Sequence, residues 1–337
     1  GATAFLPPVE GLRQKHVFSL RTVEDARQIK AFLDEKRPRR ALIAGSGFVG
    51  LEMLESLTRL GVSVTLAEAA PQLTPHLDEE MARHLQALLA EEGADIRLSA
   101  GIAAIGEKNA TLSSGETLPA DMVLLATGVR PNIRLAREMG LALGAGGAIR
   151  VNERLETSLP HVYACGDCAQ HRFIVTGEPV YRPLVSNAAR MGRVAGDVVT
   201  GGPLRCLGGL NTSIFRVLRW TVAATGLTRR EAAAQGYDTA FCLHSQVDRP
   251  EYLGGEEMQI LALADRATGR LLGGQIIGTQ GVDKRIDVLA ALLYTGARAE
   301  DLTQVDLAYA PPFSTTRDPV HYTGMLLESA LKKAGRS

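Results

Sequence analysis

From position 41 the chain alternates short apolar runs with stretches whose apolar residues return at helical spacing. Residues 41–44 form the first run, and residues 49–60 then carry apolar positions about one turn apart until Gly61 ends the pattern. A second strand is expected over 62–67. Asp78 precedes a segment with Met81, Leu85, Leu88 and Leu89 on one face, closed by Gly93, and a further strand is expected over 96–98. Residues 110–112 and 116–118 flank Ser113-Ser114-Gly115, which has hairpin-turn composition, and 122–126 reads as a buried strand ending at Thr127-Gly128. This strand–helix alternation predicts a parallel α/β unit, a Rossmann-like domain over 38–128.

Past Arg130 the pattern changes. Loops are expected around Pro131 and 144–147, short strands over 149–151 and 162–164, and a helix over 184–199, with a boundary at Gly201-Gly202-Pro203. Residues 239–247, 258–264 and 271–277 read as antiparallel strands with a turn at Thr268-Gly269, and helices are expected over 284–294 and 319–332. Strands followed by helices predict an α+β domain at this end. The chain is thus divided at 128 and again at 203.

Composition narrows the function classes. The 337 residues are 45% hydrophobic and 22% charged, as a globular protein with sizeable cores requires. Basic and acidic residues balance at 37 each and no basic run stands out, which argues against a nucleic-acid partner. No stretch approaches the roughly 20 apolar residues of a membrane span, and the first residues form no signal region, so no membrane partner and a cytoplasmic location are expected. Four cysteines are too few for a disulfide framework and are expected as reduced thiols. Cys165 and Cys168 have redox-dithiol spacing, but both straddle a turn after an apolar strand, and the plainer reading is structural. Cys206 and Cys242 supply no matching second pair, so no metal site is expected.

The chemistry concentrates at Gly45-Ser46-Gly47-Phe48-Val49-Gly50. In G-x-G-x-x-G the first glycine makes the strand-to-helix turn, the second lets a pyrophosphate approach the backbone, and the third lets the helix pack closely. Gly45, Gly47 and Gly50 follow an apolar run and open an amphipathic helix, with Val49 in its first turn at the pyrophosphate. Glu68 ends the second strand, where an acid binds the adenosine ribose in such folds. Against a 2′-phosphate its charge repels by about 4 kcal/mol at about 4 Å and an effective dielectric near 20, less where solvent reaches. The residues after it, Ala69, Ala70 and Pro71, bring no arginine, so NADH is expected over NADPH.

Four segments, in order, carry a family likeness: the glycine turn through Glu52 with Glu68; Leu125-Ala126-Thr127-Gly128-Val129-Arg130-Pro131-Asn132; Val162-Tyr163-Ala164-Cys165-Gly166-Asp167; and Leu307-Ala308-Tyr309-Ala310-Pro311-Pro312-Phe313-Ser314 through Asp318-Pro319-Val320. With them the chain resembles the pyridine nucleotide-disulfide oxidoreductases, more narrowly the coenzyme A-disulfide reductase and NADH oxidase branch. The likeness implies a Rossmann-like NAD(P)-binding domain within a split FAD/NAD(P)-binding fold, followed by an α+β dimerisation domain. It implies hydride transfer from NADH to FAD and onward to a disulfide, a persulfide or dioxygen. By the same likeness Gly128 lies at the nucleotide site, Gly166 and Asp167 form the motif that binds the flavin ribitol, and Phe48 is the aromatic gate between nicotinamide and flavin. Glu52 is the helix carboxylate beside the nicotinamide, Tyr309 and Tyr252 are presented to the partner's active site, and Arg317 contacts coenzyme A. Residues supplied across subunits imply a homodimer. Leu253-Gly254 replaces the Tyr-Pro common after the second tyrosine.

The likeness also implies a first βαβ unit with its own glycine turn for the FAD pyrophosphate and a redox cysteine near the flavin; neither is found. Residues 1–37 resemble the segment leaving that unit, so the expected organisation is a remnant and linker over 1–37, the NAD(H) domain over 38–128, the second half of the FAD domain over 129–203 and the dimerisation domain over 204–337. The chain by itself is then expected to hold flavin only as a half-site and to be inactive alone. The competing reading is a catalytically inert NADH-binding or dimer-forming module without flavin, and a third is a small redox protein working through Cys165 and Cys168.

Overall fold

The computed structural model describes residues 1–333. These fall into two compact units, one made of Thr3–Val129 with Phe215–Trp220, the other of Gly1–Ala2, Arg130–Ile214 and the chain from Thr221 onward.

In the first unit five strands run parallel in the order Val17–Ser19, Met122–Leu125, Arg40–Ala44, Ser63–Ala67, Asp95–Arg97. Arg40–Ala44 has strands on both sides and is buried from Ala41 on, which is why it reads as an unbroken apolar run. Its last residue, Ala44, is level with Ala67 on one neighbour and Leu125 on the other. Three strands therefore end together, at the edge where ligands bind in open α/β sheets. Helix Phe48–Arg59 buries Leu51, Leu54 and Leu57, and helix Glu79–Glu91 buries Met81, Leu85 and Leu89. Each such side chain contributes roughly 1.5–3 kcal/mol of burial. A three-stranded antiparallel sheet, Ile102–Ile105, Asn109–Leu112 and Thr117–Pro119, contains the expected hairpin, with Gly115 in its turn at φ +88°.

Helix Val23–Lys36 was not marked by any strong apolar stripe. Ile29 is its buried residue, and its start is fixed by a capping box in which Thr22 Oγ1 accepts from the Asp25 N–H while Asp25 accepts from the Thr22 N–H.

The second unit departs from expectation at 149–151 and 162–164. Neither becomes a strand: Ile149 makes single bridges with Leu143 and Ala169, and Tyr163 one with Glu156. Apolar, β-branched residues favour extension, but a strand also needs a lateral partner along its length, and here each stretch has one only at a point. Helix Val185–Val199 follows. The antiparallel strands Trp220–Gly226, Leu271–Gly278, Glu257–Asp265 and Thr239–Val247 lie side by side in that order. Helix Val282–Thr295 packs on Leu271–Gly278, and helix Pro319–Lys333 on Thr239–Val247. Among the described residues no helix is long and apolar enough to cross a membrane.

Candidate functional site

The glycine turn begins where strand Arg40–Ala44 ends. Gly45 stands at φ +105°, a left-handed conformation that suits glycine, and a Cβ there would lie 2.4 Å from the carbonyl oxygen of Ala126. Gly50 is excluded from carrying a side chain by packing, because its Cβ would meet the Gly45 carbonyl oxygen at 2.0 Å. Gly47 differs from both. Its φ is −70°, which any residue adopts, and a Cβ would meet nothing within 4 Å. The protein itself makes no demand for glycine at 47; the open space beside it fits a ligand that must touch the backbone. No side chain caps helix Phe48–Arg59 at Gly47, so its first N–H groups are available to an anion. Val49 is 37% exposed in that first turn.

Glu68 extends from the adjacent strand end to this turn. Its Oε2 accepts from the Ser46 N–H at 2.8 Å and from the Ser46 hydroxyl at 2.7 Å, and its Oε1 accepts from the Ala70 N–H at 2.8 Å. Ser46 is fully buried, and its oxygen accepts in turn from the Thr74 N–H at 3.0 Å. A carboxylate offers about four acceptor positions. With these three bonds Oε2 is filled and Oε1 keeps one position, enough for one hydroxyl of a ribose. Sequence reasoning passed over Ser46 and Thr74; the available signal was a hydroxyl inside a turn whose other positions are apolar or glycine. Thr74 is buried at φ +44°, unfavourable for a β-branched residue, and its Oγ1 has no hydrogen-bond partner.

Phe48 is half-buried and packs against Phe215 with ring centroids 5.2 Å apart and against His76 at 6.2 Å. Glu52 follows one turn later. Desolvation, and then the charge of Glu55, push its carboxyl up from the ordinary range. Glu55 is itself buried, with Arg59 at 2.8 Å and Arg216 at 3.3 Å. Gly128, at φ +96°, follows strand Met122–Leu125, and its carbonyl accepts from the Phe5 N–H at 2.9 Å. Gly45, Gly47, Phe48, Val49, Gly50, Glu52, Glu68 and Gly128 all belong to the first unit.

The remaining candidates belong to the second unit. Gly166, at φ +78°, faces the first turn of helix Val185–Val199, and a Cβ on it would approach Ala188 Cβ at 3.6 Å. No side chain caps that helix at Leu184. An uncapped helix start facing a glycine next to Asp167 fits a polar cofactor. Tyr181 donates to the Asp167 carbonyl at 3.1 Å. Cys165 and Cys168 are unlinked thiols packed with an apolar cluster that includes Ala164, Ala169, Met191 and Val194. Burial first, then its neighbour Cys168, pushes the Cys165 thiol up, away from the thiolate that redox exchange needs. Tyr252 lies on the single turn Glu251–Leu253 and is 78% exposed; Tyr309 is 51% exposed and its hydroxyl accepts from Thr316 at 3.3 Å. The Arg317 guanidinium lies 5.5 Å from the Tyr322 ring centre, beside an open cavity of about 800 Å³ also lined by Thr315, Thr316 and His321.

Residues 1–192 match the pyridine nucleotide-disulphide oxidoreductase family, and residues 212–319 match that family's dimerisation domain. The chain belongs to this family. Among its members, an NADH oxidase of Methanocaldococcus jannaschii is 35% identical over 99% of this chain and 74% of its own length. An NAD(P)H coenzyme A polysulfide/persulfide reductase of Pyrococcus horikoshii is 35% identical over 95% of this chain and 73% of its own. The solved structure of an NAD-dependent persulfide reductase from A. fulgidus superimposes with a TM-score of 0.95 at 34% identity, over 99% of this chain. This chain spans 63% of that molecule, less than two thirds. The α/β architecture of the pyridine nucleotide-disulphide oxidoreductases, a Rossmann-like domain with a dimerisation domain, is therefore the fold of this protein.

Gly47→Ala, at a helix N-cap, will cost no more than about 1 kcal/mol of stability and weaken NADH binding by at least about tenfold, whereas Gly50→Ala will destabilise by about 1–3 kcal/mol because its methyl has nowhere to go. Chemical denaturation and calorimetric titration separate the two, and a Gly47→Ala chain that binds NADH as well as the parent contradicts an open cradle. Cys165→Ser will leave NADH oxidation by the active enzyme unchanged; a loss comparable to that of a nucleophile would return redox chemistry to this pair.

Proposed function

We propose that this chain binds NADH on the turn formed by Gly45, Gly47 and Gly50 and serves an FAD-dependent oxidoreductase that delivers electrons to a coenzyme A disulfide, a persulfide or dioxygen, as a homodimer. The observation that carries this reading is the combination of an open backbone at Gly47 with a Glu68 carboxylate that keeps one acceptor position. The names of the relatives, an NADH oxidase and a coenzyme A persulfide reductase, support the same class of chemistry. FAD, when bound, supplies the hydride acceptor and divides the transfer into steps. Gly166 and Asp167 are the residues we assign to holding it.

The chain's own groups divide the remaining work. Gly45 and Gly50 shape the turn, Gly47 and the N–H groups at Val49 receive the pyrophosphate, and Glu68 receives a ribose hydroxyl. Phe48 shields the nicotinamide position and Glu52 flanks it. Tyr309, Tyr252 and Arg317 serve the acceptor side, the arginine as an anion contact. On this reading 38–128 holds NADH, 129–203 contributes to the flavin site and 204–337 to dimerisation, with 1–37 leading into the nucleotide domain.

The charge of Glu68 makes the reading testable. Calorimetric titration will show tighter binding of NADH than of NADPH, and Glu68→Gln will reduce that preference by about tenfold, equivalent to about 1.4 kcal/mol. Equal affinities for the two coenzymes in the parent chain would remove Glu68 from the ribose site. Flavin absorbance of the active enzyme will bleach on anaerobic addition of NADH and return on adding the acceptor; failure to bleach would leave NADH binding without hydride transfer.

A further inference from the structure

Arg285 is 1% exposed, on helix Val282–Thr295, and no motif drew attention to it. Its Nε donates to Asp318 Oδ1 at 3.4 Å and its Nη2 to Asp318 Oδ2 at 3.1 Å. Nη1 donates to the Gly281 carbonyl at 3.1 Å, and Nη2 also to the Asp248 carbonyl at 2.8 Å, with longer approaches to Ser314 Oγ at 3.4 Å and the Phe313 carbonyl at 3.5 Å. Asp318 is completed by the Ser314 hydroxyl at 2.7 Å, the Val320 N–H at 3.0 Å and Lys284 Nζ at 3.4 Å. Burial alone would push the Asp318 carboxyl up. The Val320 N–H, Ser314 and Arg285 outweigh it and hold the carboxyl below its ordinary value, so the pair is ionised.

Apart from the carbonyl of Gly281 at the start of its own helix, the partners of this one guanidinium come from two loops. Asp248 opens the loop of Tyr252, which closes on itself when the Glu256 N–H donates to Asp248 Oδ1 at 2.8 Å. Phe313, Ser314 and Asp318 end the loop of Tyr309 and Arg317. A planar fork with five N–H donors can grip a carboxylate of one loop with two nitrogens while still donating to a backbone carbonyl of the other, a fixed geometry that the compact ammonium of a lysine does not offer. Room for it is built in. Gly281, the helix N-cap, sits at φ +67°, and a Cβ there would lie 2.1 Å from Arg285 Nη1. Burying such a pair rarely adds stability over apolar residues of the same size, so its use has to be sought in the geometry it fixes.

We propose that Arg285 is a positioning residue that clamps the Tyr252 loop and the Tyr309–Arg317 loop to one helix, so that the two tyrosines are presented in a fixed relation. The clamp is a property of this chain; its effect on turnover rests on the reading of the tyrosines as acceptor-side groups given above.

Amide hydrogen exchange tests the clamp. In the full chain with Arg285→Lys, amides of 248–256 and of 309–317 will both exchange about tenfold faster or more, while strands Glu257–Asp265 and Leu271–Gly278 keep their protection. Gly281→Ala, which drives a methyl against Nη1, will loosen the same two loops and covers the case in which Arg285→Lys does not fold. Faster exchange in one loop only, or in neither, overturns the clamp. In the active enzyme Arg285→Lys will lower kcat with the disulfide or persulfide acceptor at least fivefold and leave the Kd for NADH unchanged. Two loosened loops with unchanged kcat overturn the acceptor-side role of the tyrosines and leave the clamp standing.

Discussion

The nucleotide half of this protein depends on a carboxylate satisfying a buried hydroxyl. Ser46 lies inside the glycine turn with no exposure, and a hydroxyl and an N–H in that position are costly unless bonded. Glu68 bonds both with one oxygen, and the Thr74 N–H supplies the donor that completes the hydroxyl. One side chain thereby joins the turn after the first strand, the end of the next strand and the loop that follows it. Charge-assisted bonds to N–H and O–H groups are stronger than neutral ones, which suits a contact that has to hold a turn while leaving part of the acceptor free for a ligand.

The three glycines separate what the fold requires from what a ligand requires. At Gly45 the backbone conformation and the Ala126 carbonyl both exclude a side chain; at Gly50 the Gly45 carbonyl does. A purely structural turn would need those two and no more. Gly47 satisfies neither requirement and faces open space. That asymmetry separates a turn with room beside its backbone from a fully packed one more sharply than the motif does, since the motif has three identical letters.

What could be read from the sequence was set by how local each constraint is. The parallel unit was legible because its strands and helices announce themselves by periodicity and glycine punctuation: 41–44, 49–60 and 122–126 fall within a residue or two of Arg40–Ala44, Phe48–Arg59 and Met122–Leu125. Helix Val23–Lys36 escaped because it buries little and is fixed by a cap. Strand Trp220–Gly226 escaped because its residues show no clean alternation of apolar and polar positions, and one of its pairing partners, Leu271–Gly278, lies some fifty residues away. The strands expected at 149–151 and 162–164 failed for the converse reason, with suitable residues but no extended partner. Glu68 was legible from its spacing to the turn; Ser46 was not, because its importance comes from burial. Arg285 was hidden among Asp283, Lys284 and Asp287, a run that reads as a solvated helix face.

The same division of labour recurs in both units. Apolar burial supplies most of the stability, but it is weakly directional, and a core of Leu, Ile, Val and Ala tolerates small slippage of the loops it supports. Buried polar contacts are poor at adding stability and good at excluding alternatives, because each misplaced donor or acceptor is penalised. Glu68 with Ser46 fixes a turn, and Arg285 with Asp318 fixes two loops, in each case at the boundary between a packed element and a segment that carries exposed groups such as Tyr252 at 78%. A surface salt bridge could not do this work, since solvent offers its partners equally good bonds in many geometries. Buried charge at a position of no evident chemistry, as at Arg285 with Asp318, is thus the expected signature of a loop whose geometry matters.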